Sequence, residues 1–326
     1  MRFLVIGLGS MGKRRIRNLQ ALGVRNIIGY DLRDDRREEA ARLYGIRTVG
    51  ELTDRTFDEF DAAVISTAPD KHNGFLRLMI DHDKPSFIEL SLLVQDLPEL
   101  ARSAQSRNVL VAPSCTFRFH PLIRSIKEMV QGGIYGPVQN FSYHTGQYLP
   151  DWHPWENIKD YFVSKRETSG CKEILSLELH WMLYILGGPD TVVHLHQRST
   201  SFDADIDDTY AIGMQFAGFA GVLLVDIVSR FATRSLILNL RDAQLRWNWE
   251  EGVVKAYTPD DKAWRVILEA TGRANAGYNV NLIEEMYIDE LRAFLDAAQG
   301  GKDFPLSLEE DIKILRIIEQ VETARV

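Results

Sequence analysis

Arg2-Phe3-Leu4-Val5-Ile6 runs directly into Gly7-Leu8-Gly9-Ser10-Met11-Gly12, an apolar strand pattern ending in a G-x-G-x-x-G at the start of a helical period. Each glycine has a separate task. The first permits the tight turn, the second lets backbone amides approach a pyrophosphate at a positive helix end, and the third lets helix and strand pack closely. Asp31 follows nineteen residues after the last glycine, at the end of the next apolar run. An acid there accepts hydrogen bonds from an adenosine ribose, which favours NAD over NADP because a 2′-phosphate would meet its charge. Arg33, Arg36 and Arg37 close by are what a 2′-phosphate needs, so NADP stays open. Gly7, Gly9, Ser10, Met11, Gly12, Asp31 and Arg33 are the expected cofactor contacts of this segment.

Outward from this motif, short β-branched runs alternate with helical periods, the signature of βαβ units around a parallel sheet. Strands are expected at 2–6, 26–30, 61–66, 86–89 and 108–112, and helices at 11–22, 35–44, 71–81 and 94–106. Pro113 is expected to end the last strand, because proline cannot continue a central ladder. The basic run Lys13-Arg14-Arg15-Ile16-Arg17 offers Arg14 or Arg15 to a cofactor phosphate. Its charges radiate around the helix, so at least two are expected to be solvated.

Beyond residue 118 the pattern changes. A helix is expected over 121–131 and a strand over 138–147, followed by an aromatic, proline-rich loop over 148–162, of a length that is usually functional. A helix over 170–187 precedes period-two runs at 191–197, 208–216, 219–228, 235–239 and 243–249, with Ala217-Gly218 as a hairpin turn. Helices over 281–298 and 308–323 close the chain. The expected fold is α/β: a Rossmann doubly wound parallel sheet over 1–118, then an α+β domain with a mostly antiparallel open sheet over 119–326, for substrate binding and oligomerisation.

At 326 residues the chain has room for two domains, and 45% hydrophobic with 26% charged residues is an ordinary globular composition. Residues 1–118 carry net +2 and residues 119–326 net −10, with no basic stripe, which argues against nucleic acid as a partner. The first apolar run stops at Gly7 without a cleavage site, and no stretch approaches the ~20 apolar residues of a membrane span, so no membrane partner is expected. Cys115 and Cys171 form neither a disulfide framework nor a zinc pattern, and no metal is expected. Together these features suggest a cytoplasmic protein.

With these pieces assembled, the chain resembles the Gfo/Idh/MocA family, that is, glucose-fructose oxidoreductase, inositol dehydrogenase and relatives, over nearly its whole length. Ser66-Thr67-Ala68-Pro69-Asp70-Lys71-His72 is similar to the family segment after the fourth strand. Phe117-Arg118-Phe119-His120-Pro121 with Gly132-Gly133-Ile134-Tyr135-Gly136-Pro137-Val138 is similar to its passage into the second domain. The resemblance places Thr67, Ala68, Pro69, His72 and Glu89 beside the cofactor. It also implies hydride transfer between a nicotinamide and a hydroxyl carbon of a sugar, sugar acid or cyclitol, and a homodimer or homotetramer. Tyr148-Leu149-Pro150-Asp151-Trp152-His153-Pro154 resembles members acting on acidic-sugar or cell-surface-sugar precursors.

Two departures stand out. Where the family carries Glu-Lys-Pro, this chain has Glu89-Leu90-Ser91, and leucine neither takes a proton nor orients a hydroxyl. Aligning Gly187 puts Glu173 at the family's first acid, Leu177 at its histidine and His180 at its second acid. His180 lies on nearly the same helix face as Leu177, and imidazole, with an unperturbed pKa of ~6.5, suits acid-base work; a structural role in a leucine-rich helix is the alternative. Glu173, seven residues earlier, could orient His180 or simply sit solvated near the helix start. Tyr148, Trp152, His153 and Lys159 of the long loop are the expected substrate contacts, although an aromatic loop also suits a subunit interface. A redox-inactive NAD- and sugar-binding protein, or an epimerase or lyase that retains NAD, competes with the dehydrogenase reading.

Overall fold

The computed structural model describes residues 1–152, 157–160, 162–198, 202–270 and 283–323. The chain divides into two compact units, one of Met1–Thr116 with Glu285–Leu315 and one of Phe117–Glu284 with Arg316–Val326.

In the first unit the order is β1 (Phe3–Ile6), α1 (Ser10–Ala21), β2 (Ile27–Tyr30), α2 (Asp34–Tyr44), β3 (Arg47–Val49), α3 (Asp54–Phe57), β4 (Ala62–Ile65), α4 (His72–Asp81), β5 (Ser86–Ile88), α5 (Leu97–Ser106) and β6 (Val111–Pro113). The strands form a parallel sheet in the order β3-β2-β1-β4-β5-β6, the doubly wound arrangement. β1 and β4 at its centre are buried on both faces, which is why they read as unbroken apolar runs. Pro113 is the last residue of β6 rather than the stop before it; β6 is an edge strand, where proline is tolerated.

The second unit opens with α6 (Pro121–Gln131), β7 (Val138–Tyr148) and α7 (Gly170–Leu186). It continues with β8 (Thr191–Gln197), β9 (Thr209–Phe216), β10 (Phe219–Asp226), β11 (Val228–Leu240), β12 (Gln244–Asn248), β13 (Val253–Tyr257) and β14 (Trp264–Glu269). They form one sheet in the order β14-β13-β12-β11-β7-β10-β9-β8, antiparallel except between β7 and β10. Gly218, at φ +96°, takes the turn between β9 and β10, where Phe216 pairs with Phe219. One sheet face carries Phe141, Tyr143 and Thr145 inward; the other leaves Val193, Leu195, Val222 and Leu224 exposed.

Two helices close the chain, α8 (Glu284–Ala298) and α9 (Leu308–Thr323). A single domain over 119–326 would hold all of α8, but residues 285–315 pack with the first unit. The reason is apolar burial joined to one charge. Phe294 packs edge-on against Phe3 with centroids 6.3 Å apart and against Phe87 at 5.9 Å, and Glu290 on the same helix meets Arg15 of α1.

Candidate active site

The glycine motif folds as its spacing requires. Gly7 adopts φ +91°, and a Cβ there would lie 2.7 Å from the Ser66 carbonyl oxygen. A Cβ on Gly12 would stand 1.8 Å from the Gly7 carbonyl oxygen, so this glycine is what lets α1 approach β1. Gly9 is different, since the nearest atom to a Cβ there is Nη1 of Arg36, at 3.6 Å. Gly9 is also the N-cap of α1, without a side-chain cap and without an acid in the first turn, so the first amides face outward to an anion.

Asp31, buried, closes the loop. Its Oδ2 accepts from the Leu8 amide at 2.9 Å and its Oδ1 from the Arg33 amide at 3.0 Å. The Arg33 guanidinium itself turns away and forms a bidentate pair with Asp35, which draws that carboxyl down to about 2.

The segment after β4 lies at the same end of the sheet. Ser66 packs at the glycine turn, and a short 3₁₀ turn, Pro69–Lys71, leads from Ala68 into α4. His72 is buried, with Nε2 bonded to the Thr67 carbonyl oxygen at 2.9 Å, and burial pushes its pKa down, keeping the ring neutral. His72 Nδ1 and Thr67 Oγ1 are buried and have no hydrogen-bond partner among the described residues. Outward amides, an open Gly9 and two orphaned polar atoms together fit a dinucleotide's phosphates and ribose.

Arg14 and Arg15 are both buried, while Lys13 and Arg17 of the same run are half-buried. Arg14 lies over the Tyr287 ring at 4.2 Å. Arg15 pairs with Glu89, Nε to Oε1 at 2.6 Å and Nη2 to Oε2 at 3.0 Å, and its Nη1 sits 2.8 Å from Glu290. Burial alone would lower the Arg15 pKa, but the two carboxylates outweigh it and raise it. Glu290 also accepts from the Cys115 amide and from the Ser114 and Thr116 hydroxyls. Both oxygens of Glu89 are therefore engaged by α1, and Leu90 follows it half-buried.

In the second unit, α7 holds the two proposed proton carriers. Ser169 caps its start, accepting from the Lys172 amide. Glu173 is half-buried, with Oε2 unpartnered among the described residues, and burial raises its pKa to about 7. His180 is buried, its Nδ1 2.5 Å from the Ser176 carbonyl oxygen and its own carbonyl bonded to Arg118 Nε at 3.0 Å. Between them, Leu177 completes one face of the helix.

Of the loop residues, Tyr148 lies under the Arg230 guanidinium at 3.7 Å and 6.2 Å from the Phe202 ring, while Lys159 pairs with Asp203. The 202–203 segment thus brings Tyr148 and Lys159 to one place. Trp152 packs instead at Gly170, the first residue of α7. His153 lies outside the described residues.

Glu178 has no counterpart in the sequence reading. It is fully buried and receives Tyr143 Oη at 2.6 Å, Trp181 Nε1 at 2.6 Å and Arg234 Nε at 2.7 Å, fastening α7 to the sheet. His120 is the N-cap of α6, its Nδ1 accepting from the Leu122 amide, and burial beside Arg234 pushes it down to about 4.

A doubly wound sheet with a glycine loop of this geometry is the dinucleotide-binding arrangement. Residues 1–114 match the family model GFO_IDH_MocA, an oxidoreductase family with an NAD-binding Rossmann fold. Among solved structures the chain is similar to levoglucosan dehydrogenase in complex with NADH, at TM-score 0.83 and 17% identity, covering 98% of this chain and 95% of that one. It is similar to an oxidoreductase from Agrobacterium radiobacter in complex with NAD+, L-tartaric acid and magnesium, at TM-score 0.81 and 14% identity, covering 98% and 94%. UDP-N-acetylglucosamine 3-dehydrogenase from Acidithiobacillus ferrooxidans matches at TM-score 0.77 and 19% identity, covering 99% and 97%. At these identities the likeness is one of fold. No curated protein matches the sequence, and no helix among the described residues is long and apolar enough to cross a membrane.

Proposed function

We propose that the protein is an NAD(P)-dependent oxidoreductase interconverting a hydroxyl and a ketone on a sugar, sugar acid or cyclitol. The observation that carries this reading is the glycine cradle: Gly7 and Gly12 have no room for a Cβ, Gly9 is open, and Asp31 holds the Leu8 amide. The names of the solved relatives, dehydrogenases of a sugar anhydride and of a sugar nucleotide, support the substrate class. Ser10, Met11, Thr67, Ala68, Pro69 and His72 complete the cofactor contacts in this proposal, and Tyr148, Trp152, His153 and Lys159 those to substrate.

The bound nicotinamide supplies the hydride acceptor or donor. The chain's own task is the proton. As an alcohol carbon gives up hydride, its hydroxyl proton needs a base, and Leu90 cannot serve. Glu173, with its raised pKa and an Oε2 unpartnered among the described residues, and His180, whose Nδ1 is held by the Ser176 carbonyl oxygen, are the groups we assign to it.

A redox-inactive dinucleotide-binding protein is the second reading, favoured by Leu90 and by the full engagement of Glu89 with Arg15. Incubation with NAD+ or NADP+ and a panel of sugars, sugar acids and cyclitols separates them. New absorbance at 340 nm supports the dehydrogenase. Bound cofactor without turnover supports the second reading, and product without net NADH points to an epimerase or lyase.

We also assign the exposed sheet face to contact with a second copy of the chain, supported by Val193, Leu195, Val222 and Leu224 standing exposed in adjacent rows. Val222→Glu should lower the mass measured by light scattering if this face makes the oligomer, and an unchanged mass removes it.

A further inference from the structure

A histidine and a carboxylate stand together in the open face of the eight-stranded sheet. His144 of β7 meets Asp226 at the end of β10, Nε2 to Oδ2 at 2.7 Å. The Asp226 side chain is only 7% exposed and also accepts from the Val228 and Ser229 amides at 3.0 and 2.8 Å and from the Ser229 hydroxyl at 3.0 Å. Burial alone would raise its pKa, but these bonds, that from His144 first, outweigh it and lower it, so the group is a carboxylate. A carboxylate only accepts, and His144 Nε2 therefore donates whatever the charge on the ring. Its Nδ1 makes no hydrogen bond among the described residues, and the side chain is 37% exposed.

Strand register fixes the surroundings. Leu195, Ala211, Leu224 and His144 are paired in turn across β8, β9, β10 and β7, and Ser235 of β11 follows, so they form one row on one face. The neighbouring row runs Val193, Gly213, Val222, Ser142 and Ile237. In these rows β8, β9 and β11 bring no titratable group to His144, and β10 brings Asp226. The first cation along them is Arg246 of β12, beyond Ile237, while Arg230 at the start of β11 is turned to the Tyr148 ring.

A second copy that covers Leu195 and Leu224 covers the open edge of His144 with them. Asp226 is buried already, so what changes is the imidazole. A protonated ring carries an Nδ1–H that needs an acceptor, and apolar side chains offer none. A twofold contact also gathers the two copies of His144, and their charges, in one interface. We infer that His144 makes the contact between copies pH-sensitive: the neutral ring is covered readily, the imidazolium is not, and the assembly comes apart as the medium turns acidic. By linkage, the assembled chain binds fewer protons than the separated one, so its Kd rises as pH falls. This inference rests on the sheet-face reading and adds its regulation.

The test is sedimentation equilibrium of the whole chain from about pH 8 to about pH 5.5, the range in which imidazole changes charge, at one fixed salt concentration. Circular dichroism at each pH shows that the chain is folded. The parent should assemble at the alkaline end, and its Kd should rise by about 10–100-fold toward the acid end, up to tenfold for each of two imidazoles. His144→Gln keeps an amide that donates to Asp226 but does not titrate, and its Kd should stay constant. His144→Lys is charged throughout and should show at the alkaline end the weak assembly of the acidified parent. A parent Kd that ignores pH, or a dependence that persists in His144→Gln, overturns the proposal. If Val222→Glu breaks the assembly while pH has no effect, the sheet-face contact stands and the switch alone falls. A parent that is monomeric at the alkaline end, or an assembly untouched by Val222→Glu, removes both.

Discussion

Arg15 holds Glu89 with two nitrogens, Nε to Oε1 at 2.6 Å and Nη2 to Oε2 at 3.0 Å, inside the first unit. Glu89 therefore serves as counter-ion to the helix that starts at the glycine loop. A buried pair of this kind is a small net gain when complete and a large loss when broken, because the surviving charge stays desolvated.

Arg15→Met should destabilise the first unit by about 3–5 kcal/mol, since Glu89 and Glu290 would both lose their cation. Glu290→Gln should cost less, because an amide oxygen in place of Oε1 can still accept from the Cys115 amide and the Ser114 hydroxyl. Thermal unfolding followed by circular dichroism compares the two. Equal midpoints for Arg15→Met and the parent would show the cluster to be energetically idle.

Gly9→Val should leave a folded chain that no longer binds NADH, because space exists at Gly9 but a β-branched side chain fills the approach to the amides. Gly12→Ala should instead lose soluble protein, its methyl lying 1.8 Å from the Gly7 carbonyl oxygen. The contrast separates binding from folding within one motif.

Glu173 yields a pH dependence of known sign. Its pKa is raised from 4.5 to about 7, so between those values the folded chain binds more proton than the unfolded one. Stability falls as pH rises through that window, and the full cost is present above it. Glu173→Gln should remove this slope and be more stable than the parent above pH 7 by roughly 1–3 kcal/mol. If Glu173 also takes the substrate proton, alcohol oxidation should rise through about pH 7 in the parent and not in the variant. Parallel stability profiles for the two proteins would show that the carboxyl does not titrate in this window.

His180→Asn should lower kcat by about 10²–10⁴-fold with NADH affinity unchanged if the imidazole carries the proton. The Ser176 bond makes the alternative concrete: a histidine held only to brace α7 would give a lower thermal midpoint and near-parent kcat. Measuring both quantities on one preparation decides between them.

The parallel sheet was legible because its signals are local. A strand, three glycines and an acid fall within thirty-one residues, and each has one backbone reason to be there. β13 and β14 were missed because each is a short run set among turn residues, Glu250-Glu251-Gly252 and Thr258–Lys262, with too few alternating positions to stand out. The basic run offered Arg14 or Arg15 to a phosphate with at least two of its four charges solvated, and did not show that both would be buried; their burial depends on Tyr287, Glu89 and Glu290, two of which lie more than 250 residues away. Glu178 was hidden for the same reason. Nothing adjacent to it in sequence announces Tyr143 and Arg234, which arrive from β7 and β11.

The return of α8 to the first unit bears on how the protein is made. Glu290 closes on Arg15 and on the Ser114–Thr116 turn, and Phe294 fills space beside Phe3 and Phe87. A ribosome that has synthesised the whole six-stranded sheet has not yet synthesised the helix that brings Arg15 its second carboxylate. Until residues 285–315 emerge, the nascent chain carries an unsheltered aromatic face and a cation awaiting its second partner. The glycine loop sits in a body that is complete only once residues 285–315 have been made.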